Sequence, residues 1–165
     1  MCSRFETEYP PVYSFPQPGI SGEIAVVSTP FVHLHLHSEY SLSDGIVRIE
    51  ELVSAAAAER MPAVALTDLA NLFGAVKFFQ KALKAGVQPI VGSDVWLENP
   101  ADRNKPYRLV LLCQNRQGYL NLNQLLTRAY AEGQHAGRPC IQSEWFTGHS
   151  DGLIALSGAL DGDIG

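Results

Sequence analysis

Residues 31–68 read FVHLHLHSEYSLSDGIVRIEELVSAAAAERMPAVALTD. Positions 31–36 alternate apolar residues with histidine, the two-residue period of a strand. Ser43-Asp44-Gly45 supplies a turn whose side chains also suit the start of a helix. Ile46, Ile49, Val53 and Ala56 then recur at helical spacing over residues 46–60, and the alanine run raises helix propensity. Pro62 ends that helix. Ala63–Leu66 is a short apolar strand, closed by Thr67-Asp68.

Downstream the alternation continues. Leu72, Val76, Phe79 and Leu83 mark an amphipathic helix, with Gly86 at its C-terminal cap. Residues 87–95 predict a third strand, 99–105 a polar turn and 108–113 a fourth strand. Leu122, Leu125, Leu126 and Ala129 predict a third helix, and Leu153–Ser157 a fifth strand. Strands alternating with helices define the α/β class, with parallel strands buried by helices. The spacing accommodates a barrel or an open sheet equally.

Upstream, five of the ten prolines fall in the first thirty residues, and proline removes a backbone donor. Residues 1–29 therefore read as a flexible extension with one short strand at 24–27, ahead of a domain from residue 30. No apolar run there is long enough for a signal peptide or a membrane span. The chain's 165 residues suffice for one domain with a core. Its 46% hydrophobic and 18% charged residues are ordinary for a soluble globular protein. A net charge of -5 with no basic block makes this piece unsuited to be the main grip on DNA. Cys2, Cys113 and Cys140 are far apart, odd in number and form no CxxC pair. That argues against a disulfide framework or a zinc ribbon and fits a reducing cytoplasm.

His33, His35 and His37 share one face of the predicted strand, about 6.5–7 Å apart, while Leu34 and Leu36 face packing helices. Functional groups in α/β folds gather at the C-terminal ends of parallel strands, where His35 and His37 lie. Two such imidazoles can share a metal or hold two neighbouring ones. An isolated HxH is more often two polar residues on a strand face. The third histidine, and Asp44 as a hard oxygen donor from the next loop, move the balance toward a site. Asp68 and Asp94 end the second and third strands, each readable as a ligand, a support for histidine or a cap. Phosphate-binding glycine loops and a GxSxG elbow are absent from the sequence.

The segment FVHLHLHSEYSLSDG (residues 31–45) closely resembles the opening motif of the PHP domain of bacterial DNA polymerase III alpha subunits, replicative and proteobacterial in type. The resemblance continues in register through PAVALTDLANLFGAVKFFQKALKAGVQPIVGSDV (62–95), LVLLCQNRQGYLNLNQLLTRAY (109–130) and GLIALSGALDGDIG (152–165). It implies a PHP-type distorted (β/α)7 barrel. That barrel is expected to be incomplete here, because roughly five strand units are readable and a βα barrel usually takes about 200–250 residues.

Metal-bearing members of this family hold up to three zinc or manganese ions at the strand ends. His35 and His37 match their paired histidines, and Asp44 the acidic ligand before glycine. Elsewhere the pattern departs. Leu69 stands where those members have histidine, Asp94 is one methylene shorter than their glutamate, Arg108 replaces a histidine and Ala159 a cysteine. Leucine and alanine offer no lone pair, and arginine carries a like charge toward a metal. Each zinc wants about four donors. The expectation is a degraded site without catalytic residues or a firmly held cofactor. At most one weakly held zinc or manganese ion sits on His35, His37 and Asp44, with Asp94 a marginal contributor. Arg108 is expected to pair with Asp44 or Asp94, and His33 to face the core or support the ligands.

Phosphoester hydrolysis would then lack a metal-activated water. The resemblance implies a non-catalytic structural domain of a DNA-directed DNA polymerase, docking a proofreading exonuclease subunit and the rest of the holoenzyme. Nucleotidyl transfer on magnesium and the contacts to DNA would belong to other domains of the full polymerase, in the cytoplasm and away from membranes. The alternative is a metal-dependent phosphoesterase or exonuclease of the PHP family, supported by the retained HxH and Asp44. A third reading is an interaction scaffold unconnected with replication.

Overall fold

The computed structural model describes residues 31–158 and Gly162. The expectations for residues 1–29 and for Ala159 lie outside the described residues. Helix α1 spans Ile49–Ala58, strand β1 Ala63–Leu66, helix α2 Ala75–Lys84 and strand β2 Gln88–Leu97. Strand β3 (Tyr107–Cys113), helix α3 (Arg116–Glu132), strands β4 (Gln134–His135) and β5 (Arg138–Ile141), a 3-10 turn (Ser143–Phe146) and strand β6 (Leu153–Ser157) follow. No described helix is long and apolar enough to cross a membrane.

The α/β class holds, but the sheet is mixed rather than parallel. Long β2 is its hub: it runs parallel to β1 over Gln88–Val91 and antiparallel to β3 over Gly92–Leu97. A short loop joins β2 to β3, and a connection too short for a crossover helix forces an antiparallel pair. Strand β6 adds antiparallel to β3, and the β4–β5 hairpin joins β2 through Trp96 and Leu97.

The strand expected at residues 31–36 is extended backbone beside β1 that makes one isolated bridge, His33 to Val64. Ala65 N–H donates to the His33 carbonyl at 2.8 Å, and Thr67 N–H to the Leu36 carbonyl at 2.9 Å. Three residues on one side therefore span two on the other, as in a bulge. The Thr67 hydroxyl fills the gap, accepting from Leu36 N–H at 2.9 Å. The alternation seen in the sequence is thus broken within the run of histidines, between His33 and His37.

Two larger core clusters flank the sheet, and Ala65, Val110 and Leu112 form a smaller third. Ile49, Leu52 and Val53 of α1 pack with Phe78 and Ala82 of α2 on Val64 and Leu66. Leu122, Leu125 and Leu126 of α3 pack on Val95, Leu111 and Ile141, closed by Trp145. Asn115 caps α3 by accepting from Gly118 N–H at 3.0 Å, which satisfies one orphan donor of its first turn.

Helix α2 reverses the face read from its sequence. Ala75, Phe78 and Ala82 are buried, while Val76, Phe79 and Leu83 are 65%, 43% and 54% exposed. The small alanines let α2 approach its neighbours closely, and Phe78 fills the core. Val76 and Phe79 instead line an apolar groove of about 720 Å³ with Leu34, Ile90, Leu112 and Ile154. Helix α1 starts at Ile49, past the expected cap, and leaves Ile46 almost fully exposed.

Candidate functional site

The loop after the histidines is built to hold them. Buried Asp68 accepts from Ser38 twice, from its backbone N–H at 2.6 Å and from its hydroxyl at 2.9 Å. The Ser41 hydroxyl donates to Asp44 at 2.6 Å and accepts from Leu69 N–H at 3.0 Å. Gly45 lies so close to Ser38 that an added Cβ would sit 1.8 Å from its carbonyl oxygen. Any larger residue after Asp44 would break the loop, which accounts for the Asp-Gly pair.

Held this way, the Nε2 atoms of His35 and His37 lie 3.3 Å apart. Asp94 Oδ2, from β2, is 3.0 Å from the first and 3.2 Å from the second. These separations resemble one face of a zinc tetrahedron, whose ligand atoms at about 2.0–2.1 Å from the ion lie roughly 3.3 Å apart. Among the described residues, this is the one grouping of three potential metal ligands. Asp44 stands outside it: its Oδ1 faces Nδ1 of His37 at 3.0 Å and orients the ring from behind. Asp68 is spent on Ser38. Leu69 pairs with Asp94 only through the backbone. His33, expected near the core, is exposed and packs edge-on against Phe31.

Arg108 closes the remaining side. Its Nε donates to Asp94 Oδ1 at 3.0 Å, and its Nη2 donates to Oδ2, the oxygen that faces the histidines. Its guanidinium also lies 4.4 Å from the Trp96 ring centre. A cation therefore already occupies both oxygens of Asp94.

The electrostatics follow. Burial pushes the Asp94 carboxyl up, but hydrogen bonds from His37 and Arg108, with the Arg108 charge, bring it down to about 2. The hydrogen bond to Asp94 raises His37 despite its burial, and Asp44 adds to the rise. Burial raises Asp44 too, but the bond from Ser41 and the nearby His37 leave it lowered overall. Asp68 is raised, chiefly by burial. The fold thus stabilises an ionised Asp94 between a guanidinium and an imidazole. The donor set suits one ion at most, and that ion would compete with Arg108 for Asp94. Sequence reasoning missed Ser38 and Ser41. Their signal was two serines three residues apart directly after the histidines.

Comparison with known proteins places the chain. The model of the PHP domain matches residues 33–165, and the chain belongs to this family. DNA polymerase III subunit alpha of Pseudomonas aeruginosa is 47% identical over 135 residues, covering 82% of this chain and 12% of that protein. Its counterpart in Vibrio cholerae is 42% identical over the same shares. The chain thus spans about an eighth of the length of these curated relatives. Among solved structures, a putative metal-dependent phosphoesterase from Bifidobacterium adolescentis aligns with a TM-score of 0.47 and 16% identity, over 61% of this chain and 33% of that one. An amidohydrolase from Chromobacterium violaceum, with bound sulfate and no metal, aligns with a TM-score of 0.44 and 23% identity, over 72% and 49%.

Proposed function

We propose that this chain is the PHP region of a DNA polymerase III alpha subunit, and that its strand-end site is structural rather than hydrolytic. The alpha-subunit relatives, similar over four-fifths of the chain, support the parentage. The observation that carries the structural role is Arg108, whose guanidinium holds both oxygens of Asp94 where a metal ion would otherwise bind. On this reading, DNA-templated synthesis and its magnesium ions belong to residues outside this chain. The domain supports the polymerase body and docks a proofreading exonuclease subunit, in a cytoplasmic setting.

The triangle of His35, His37 and Asp94 favours a second reading, a phosphoesterase on one zinc or manganese ion. Elemental analysis after equilibration with each metal separates the two, with turnover of a generic phosphate monoester measured in parallel. The structural reading expects less than one bound ion per chain and no turnover above buffer. A tightly bound ion with matching hydrolysis would establish the second reading. Docking is tested by capture of the purified exonuclease subunit on the immobilised chain.

A further inference from the structure

Strand β3 lies between β2 and β6, and Arg108 near its start has two unlike neighbours. On the β2 side Trp96 is directly opposite, and the guanidinium lies 4.4 Å from its ring centre. On the other side the antiparallel ladder runs from Cys113 and Leu153 to Leu109 and Ser157, which brings Gly158 opposite Arg108. Gly158 N–H donates to the Arg108 carbonyl at 3.2 Å. Residues directly opposite share a face of the sheet, so Trp96, Arg108 and Gly158 form one row across three strands.

The glycine is where a side chain could not be. A Cβ added at Gly158 would lie 2.7 Å from the Arg108 Cβ, 2.5 Å from its carbonyl oxygen and 3.0 Å from its carbonyl carbon. Non-bonded carbons rest about 3.5–4.0 Å apart. Two of the three atoms are backbone and the third is the root of the side chain, so no rotation of a flexible tip relieves the clash. Elsewhere on the ladder β6 does offer side chains to β3: Ile154 opposes Leu112 and Leu156 opposes Val110. Among the described residues, the row that holds Arg108 is the one where it offers none.

The position of that root decides the grip on Asp94. Arg108 Nε donates to Oδ1 at 3.0 Å and Nη2 donates to Oδ2. A two-point grip depends on geometry at both nitrogens, and N–H···O bonds lie within about 2.7–3.2 Å. Displacing the Arg108 Cβ by an ångström or so would therefore draw both nitrogens off the carboxylate.

We infer that Gly158 is a positioning residue: the space it leaves lets Arg108 reach Asp94, and so gives that carboxylate to the guanidinium rather than to a metal ion. The inference rests on the structural reading of the site proposed above and extends control of that site to the end of β6.

Wild type, Gly158→Ala, Arg108→Met and the double variant G158A/R108M are compared by zinc titration, by heteronuclear NMR of the arginine Nε–H groups and by urea unfolding. The Arg108 Nε–H signal, identified by its loss in Arg108→Met, is expected to shift and to exchange faster with solvent in Gly158→Ala. Zinc is expected to bind about tenfold more tightly in each single variant, the scale on which groups that hold a ligand change metal affinity. The double variant should bind it no more tightly than Arg108→Met, because both changes act on the same carboxylate. A glycine that serves only the strand would leave the arginine signal and the zinc affinity unchanged, and would lower stability equally with and without Arg108. That result overturns the inference. A response in Arg108→Met with none in Gly158→Ala overturns the inference alone. No response in Arg108→Met removes the guanidinium reading of the site, and the inference with it. If Gly158→Ala does not fold, the same substitution is made in R108M/D94N, which has no ion pair to lose. A folded triple variant upholds the inference, and an unfolded one overturns it.

Discussion

Arg108 lies directly across the β2–β3 ladder from Trp96 and diagonally from Asp94, which is itself opposite Val110. The three side chains share one face of the sheet, because residues two apart on a strand point the same way. A diagonal separation is within reach of a long side chain. Arginine spans it and grips Asp94 with two nitrogens, where a shorter side chain would stop over Trp96.

The first prediction follows from that diagonal. Arg108→Met leaves a carboxylate that is 2% exposed without its cation. The expected loss is about 2–4 kcal/mol in urea unfolding at neutral pH, below the full cost of breaking a buried pair because Arg108 is partly exposed. An R108M/D94N double variant removes both charges and should recover most of it. R108M is also expected to bind zinc more tightly than wild type, since Asp94 Oδ2 is released to join the histidines. Unchanged stability together with unchanged zinc affinity would show that the pair is incidental.

A second prediction concerns pH. The Asp94 carboxyl titrates near 2 in the fold and near 3.9 in an unfolded chain. The unfolded state therefore binds its proton first. Asp94 contributes about 2–3 kcal/mol above roughly pH 5, and this is lost as pH falls through about 2. Asp68, raised by burial, works in the opposite direction, so the acid limb is read as the difference between wild type and D94N. His37 has the reverse sign, because its pKa is raised in the fold. Its contribution is complete below about pH 6.5 and declines as pH rises through the folded value. His37→Gln should flatten the alkaline limb of the unfolding midpoint. A wild-type midpoint that stays flat through pH 9 would contradict this account.

The third prediction tests the clasp behind the histidines. Asp68→Ala strands two buried donors of Ser38, its N–H and its hydroxyl. The expected cost is about 2–4 kcal/mol, from one to two kcal/mol or so per stranded group. Hydrogen exchange at the Ser38 and Leu69 amides should accelerate ahead of exchange in α3, because the loop loosens before the second core does. Uniform acceleration across the domain would mean that Asp68 acts globally instead.

The sequence made β1 and β6 legible to the residue, because short apolar runs bounded by Pro62 and by Gly152 admit no other register. The first strand was not legible. Its alternation is real, but the bulge between His33 and Leu36 depends on the Thr67 hydroxyl thirty-one residues away. The β4–β5 hairpin was missed because Gln134–His135 is too short and polar to register as a strand. Within the site, His35 and His37 could be paired from their HxH spacing, but Asp94 reads only as a marginal contributor ending its strand, and it lies instead inside β2, three residues before Leu97. That Asp44 would lie behind His37 could not be read, since it follows from how Gly45 packs on Ser38.

Helix α2 supplies the last prediction, because it carries two apolar stripes and only one is buried. Spacing cannot choose between them, as Ala75, Phe78 and Ala82 recur at helical intervals just as Val76, Phe79 and Leu83 do. The choice is made by packing against Ile49 and Val64, where Phe78 fits and is fully buried. Phe78→Ala is therefore expected to cost about 3–5 kcal/mol. The exposed stripe should behave oppositely. A V76T/F79Q/L83Q variant removes the exposed apolar stripe, of which Val76 and Phe79 line the groove, without touching the core. Its unfolding free energy should stay within about 0.5 kcal/mol of wild type. Its solubility should rise and its binding of a hydrophobic dye should fall, because contiguous exposed apolar surface drives association. Loss of the cooperative unfolding transition in that variant would show that the second stripe, not the first, holds α2 in place.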